Sequence, residues 1–176
     1  MNKITLQTIH NDLLRIEKLL KPEISGEIKS DSNWFVIIDD GKKKTSELLN
    51  DCRKLFPVWS YYSDEHLDKD FPPVETKFKY RKRVEADEEL KNKSVDDLEK
   101  EGIKGITLRE RIIMELQYFK ETGKHLDIVN LTLCSGSLHS DGFAVYADWY
   151  GGKFKVDWNH RDHSDDKLRS RQQFPL

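Results

Sequence analysis

Hydrophobic residues recur at two different periods along this chain, and the switches between them mark its elements. Leu6, Ile9, Leu13, Ile16 and Leu20 fall three and four apart, which predicts a core-facing helix from about Thr5 to Lys21, stopped by Pro22. Trp34 to Ile38 is a continuous apolar run of strand length, closed by the turn signal Asp39-Asp40-Gly41. Leu48, Leu49, Cys52, Leu55 and Phe56 predict a second helix over about Thr45 to Phe56, ended by Pro57. Val58 to Tyr62 is aromatic and β-prone, whereas Ser63 to Pro73 is acidic, proline-bounded and expected to be a surface loop. From Val74 to Val84 the pattern alternates. Val74, Thr76, Phe78 and Tyr80 share one face and Glu75, Lys77, Lys79 and Arg81 the other, as expected of a half-buried strand at a sheet edge.

The stretch from Thr107 to Trp158 carries the strongest pattern. Thr107 and Glu110 have capping-box spacing, Leu108, Ile112, Ile113, Leu116 and Phe119 form one apolar stripe, and Gly123 is placed to end the helix. Ile128 to Cys134 is expected as a strand and Ser135 to Gly142 as a loop. Phe143 to Tyr150 and Lys153 to Trp158 then flank Gly151-Gly152, which suits a two-residue hairpin turn. That turn sets Val145, Ala147, Trp149, Phe154, Val156 and Trp158 on an apolar face. Tyr146, Asp148, Tyr150, Lys153, Lys155 and Asp157 fall on the other, with cross-strand charge pairing available. A lone hairpin is unstable in water, so the apolar face must meet another layer. Lys167 to Phe174 fits a last strand or a short helix.

These elements predict an α+β fold. A helix–strand–helix–strand unit over 1–84 is followed by a linker with a short helix over 85–105. A C-terminal unit over 106–176 packs its helix on a small antiparallel sheet with the Gly-Gly hairpin. The chain is 35% charged and 36% hydrophobic, but four Trp, six Tyr and eight Phe supply enough burial to argue against disorder. A formal charge of -2 gives no overall attraction to nucleic acid or anionic lipid. No apolar run reaches membrane-helix length, no signal-peptide core is present, and Cys52 and Cys134 stand far apart, so a cytoplasmic protein with free thiols is expected and no membrane partner. The segments LRERIIMELQYFKETGKHLD, TLCSGS and LRSRQ, between Leu108 and Gln172, resemble a group of small bacterial and phage-type proteins. That resemblance implies a bacterial or mobile-element source and no activity, cofactor or site residue.

Three constellations could carry function. The outer hairpin face, with Tyr146 and Tyr150 opposite Lys153 and Lys155, suits a protein partner, because tyrosines there are unneeded for folding and are common at interface hot spots. His139 and Asp141 before the hairpin, with His160, Asp162 and His163 after it, could ligate a metal for a hydrolase or nuclease, although neither spacing forms a recognised motif. Lys77, Lys79, Arg81 and Arg83, interleaved with Phe78 and Tyr80, could track a nucleic-acid backbone. Nucleophile and phosphate-loop readings fail on spacing: Ser135-Gly136-Ser137 lacks GxSxG, and Gly41-Lys42-Lys43-Lys44-Thr45 lacks GxxxxGK[ST]. Cys134 beside His139 is more simply a strand residue next to a turn. The expectation is therefore a non-enzymatic protein-binding accessory protein without a cofactor.

Overall fold

A computed structural model describes residues 27–28, 33–138 and 142–176, so the helix expected over 5–21 lies outside the described residues. The described elements are β1 (Glu27–Ile28), β2 (Trp34–Asp39), α1 (Thr45–Arg53), β3 (Val58–Ser60), α2 (Asp64–Asp70) and β4 (Thr76–Arg81). They continue with α3 (Val95–Lys100), α4 (Leu108–Thr122), β5 (Leu131–Leu138), β6 (Ala144–Tyr150), β7 (Lys153–Asn159), β8 (Leu168–Ser170) and β9 (Phe174–Pro175). The fold is α+β. One sheet is antiparallel in the order β1-β2-β4-β9; the other is mixed in the order β3-β7-β6-β5-β8. Its central strands β5, β6 and β7 are antiparallel, while β3 on β7 and β8 on β5 are parallel.

The helix α4 packs against both sheets. Thr107 caps it, accepting from the Glu110 N–H while Glu110 returns a bond to the Thr107 N–H, and Gly123 ends it at φ 67°. Phe35, Ile37 and Tyr80 from the first sheet share one core with Ile112, Ile113 and Leu116 and with Val145, Phe154 and Val156 from the second. The boundary expected between 1–84 and 106–176 therefore does not coincide with a break in the core. Strand exchange makes the same point: β3 from the first half joins the second sheet, and β9 from the chain's end pairs with β4. β4, expected at an edge, is flanked by β2 and the short β9.

Other expectations change for local reasons. The segment 85–105 is no free linker. Leu90, Val95 and Leu98 pack on Leu133, Ala144 and Leu168, and the Asp87 and Asn92 N–H groups donate to Ser170 and Leu168 carbonyls. Residues 128 and 129 do not begin the strand, because Glu85 accepts the N–H groups of Ile128, Val129 and Asn130 and so withdraws them from the ladder. The strand instead continues through Ser135–Leu138, expected as loop. Gly136 permits that path: its N–H donates to the Ile106 carbonyl, and a Cβ there would run into the Gly105 carbonyl oxygen. The acidic stretch after Ser63 forms α2, with the Ser63 hydroxyl accepting from the His66 N–H and only Leu67 buried.

Candidate functional site

The hairpin register is the one read from the turn: Tyr150 opposes Lys153, Asp148 opposes Lys155 and Tyr146 opposes Asp157. Gly151 and Gly152 lie at φ 60° and 76°, the left-handed pair that such a turn requires. On the inner face Val145, Ala147, Phe154 and Val156 are completely buried, and the half-buried Trp149 stacks on His125. On the outer face Tyr150 is 70% exposed, and β3 adds Trp59, opposite Lys155 and 40% exposed.

Lys155 organises this outer face. Its Nζ lies 2.8 Å from Asp157 Oδ2 and donates to the Tyr146 hydroxyl at 3.2 Å. It also sits over the rings of Trp59 at 5.3 Å and Tyr146 at 5.5 Å. Burial disfavours its charge, but Asp157 and Tyr146 outweigh burial and hold the ammonium above the usual lysine range. Burial pushes the Tyr146 hydroxyl up, and that hydroxyl donates to Asp157 Oδ2 at 3.2 Å. The pairing expected between Asp148 and Lys155 does not form. Lys155 turns along its own strand to Asp157, leaving Asp148 Oδ1 buried without a protein partner. Burial then pushes the Asp148 carboxyl up to about 6.

The other constellations fare differently. His139 and Asp141 lie outside the described residues. His160 rests against the rings of Phe143 and Trp158, while His163 Nε2 lies 3.0 Å from Asp165 and Asp162 is exposed. Among the described residues no three His, Cys, Asp or Glu side chains group closely enough to hold a metal ion. In the basic run, Arg81 pairs with Asp87 at 2.8 Å and Arg83 with Glu89 at 2.6 Å, which lowers the Glu89 carboxyl to about 2. Lys79 lies over the Trp34 ring and Lys77 is exposed, so part of the run's charge is matched within the chain. Cys134 is fully buried, and burial pushes its thiol up to about 12, far from a reactive thiolate.

Sequence periodicity missed the charges inside the core. The α4 stripe is only part of its buried surface, since Arg109, Glu110, Arg111 and Glu115 are buried too. Arg111 donates to Glu115 Oε2 at 2.8 Å and to Asp127 Oδ2 at 2.9 Å, and Arg171 donates to Asp127 Oδ1 at 2.7 Å. Asp127 sits at φ 54°, accepts from Thr132 at 2.6 Å and is completely buried. Burial disfavours the Arg111 charge, but Asp127 and Glu115 outweigh it and keep the guanidinium firmly protonated. The capping-box spacing of Glu110 was the only sequence signal for any of these roles; the remaining partners meet only through the fold. A cavity of about 390 Å³ opens beside the first turn of α4, where Thr76, Arg109 and Ser137 meet Phe71 and Val74. No helix among the described residues is long and apolar enough to cross a membrane. Compared with family models, curated proteins and solved structures, the chain matches none of them.

Proposed function

We propose that this protein is a non-enzymatic accessory protein of a bacterium or phage-type element, cytoplasmic in location, that binds another protein through the outer face of its hairpin. One observation carries the reading: Trp59 and Tyr150 lie exposed on the same face as Lys155, which is already fixed in place by Trp59, Tyr146 and Asp157. Exposed aromatic rings add little to folding, yet rigid aromatic side chains with a pre-positioned cation are what an interface hot spot uses. Because Lys155 is held before binding, less side-chain freedom is lost on association. The paired arginines of the 77–83 run give the nucleic-acid alternative less support, and the separated His160 and His163 give the metal alternative less.

The test is a double substitution, Trp59→Ser with Tyr150→Ser. Tyr146 is spared because its hydroxyl belongs to the Lys155–Asp157 network. The expected result is a folded protein destabilised by only about 1 kcal/mol, for the lost contact between Trp59 and Lys155, with partner affinity weakened at least about tenfold, the scale of one hot-spot loss. Full affinity in the double variant would overturn the reading.

A further inference from the structure

The mixed sheet ends on β3 at one side and on β8 at the other, and the two edges are finished differently. At β8 the Leu168 and Ser170 carbonyls accept from the Asn92 and Asp87 N–H groups, so the segment 85–92 occupies that edge. Among the described residues no backbone group does the same for β3.

The register shows which groups β3 leaves open. The Phe154 N–H donates to the Pro57 carbonyl and the Tyr61 N–H to the Val156 carbonyl, each at 3.0 Å, and Trp59 opposes Lys155 between them. Residues 57, 59 and 61 therefore turn their backbone toward β7. Alternation turns the N–H and C=O groups of Val58 and Ser60 the other way, off the side of the sheet. Val58 to Tyr61 carry no charge and no proline, the usual guards of an edge.

We infer that β3 takes up an extended strand of a partner protein, which adds to the sheet through backbone hydrogen bonds to Val58 and Ser60. The inference rests on the proposal above that a partner protein binds beside Lys155, and it says how that protein is recognised. Side chains select the strand. Val58 packs on the core, and alternation puts Trp59 and Tyr61 on the opposite, outer face, with Tyr61 59% exposed. An added strand lays every second side chain beside those two rings, so its residues there are apolar or aromatic. Because β3 is only three residues long, the backbone bonds are few and the Kd is about 10–100 μM for an isolated peptide.

The test selects random peptides of about nine residues, displayed on phage, against the full chain, and follows a synthesised winner by amide NMR. Winners should lack proline, alternate apolar residues and slow hydrogen exchange at the Val58 and Ser60 amides. N-methyl groups walked along the peptide should weaken binding at least about tenfold at alternate positions only, because every second N–H faces β3. This probe acts on the unaltered chain, so no variant has to fold. Losses without that alternation, protection elsewhere on the chain, or no saturable winner would overturn the inference. The outer-face reading would then still stand or fall by Trp59→Ser with Tyr150→Ser. A chain that dimerises alone, with its Val58 and Ser60 amides protected, would put a second copy on this edge and overturn the inference equally.

Discussion

The two faces of the β6–β7 hairpin share one backbone and one register, yet they solve opposite problems. Inward, Val145, Ala147, Phe154 and Val156 lose all contact with water and join the core around α4. Outward, Tyr146, Lys155 and Asp157 hold each other in place, and Tyr150 and Trp59 stay exposed. Burial drives the first face, and polar positioning orders the second. The fold therefore depends on one face and leaves aromatic rings of the other in water. Substitutions that act on one face alone can break that division.

The largest effect is expected where the core holds charge. Asp127→Ala leaves Arg111 and Arg171 buried without their shared carboxylate, and should cost about 3–5 kcal/mol by denaturant midpoint. A loss under about 1 kcal/mol would mean that the network relaxes into water and is no part of the core. Phe154→Ala, on the inner face, should cost about 3 kcal/mol or more, since the ring is completely buried under α4.

Asp148 belongs to the outer face but is itself buried, and it sharpens the comparison through pH. Its carboxyl is raised from 3.8 to about 6 in the folded protein, so between those values the folded state binds more protons than the unfolded one. Its contribution therefore favours folding below about pH 4 and is lost as pH rises toward about 6. Asp148→Asn removes that titration. The difference in stability between wild type and variant should shift against the wild type across this window, followed by thermal melts at fixed ionic strength. A constant difference across the window would contradict the burial assigned to the carboxylate.

Much of this fold is legible in local pattern. The cap at Thr107, the stop at Gly123 and the hairpin register all follow from residues within a few positions of each other. What pattern cannot convey is which distant group claims a side chain or an N–H. Glu85 takes the backbone donors of 128–130, which shortens a strand that hydrophobicity alone extends. Lys155 chooses Asp157 over its cross-strand neighbour Asp148. Arg109 and Asp39, seventy positions apart, meet only because α4 packs against β2. At the candidate site, the tyrosines and lysines followed from alternation, while Trp59 arrived through a parallel pairing that sequence alone does not specify.

The smallest effect should come from Tyr150→Ser, within about 0.5 kcal/mol of wild type, because the ring is mostly in water. A loss of several kcal/mol would mean that the outer face is core and unavailable for binding.

The most direct measurement is photo-crosslinking in the native host, with a photoreactive residue at position 150 and, as a control, at the exposed Glu65 on α2. The expected result is one discrete protein adduct from position 150, identified by mass spectrometry and absent from position 65. The same adduct at both positions, or none from position 150 in a folded, expressed protein, would contradict a partner bound on the outer face of the hairpin.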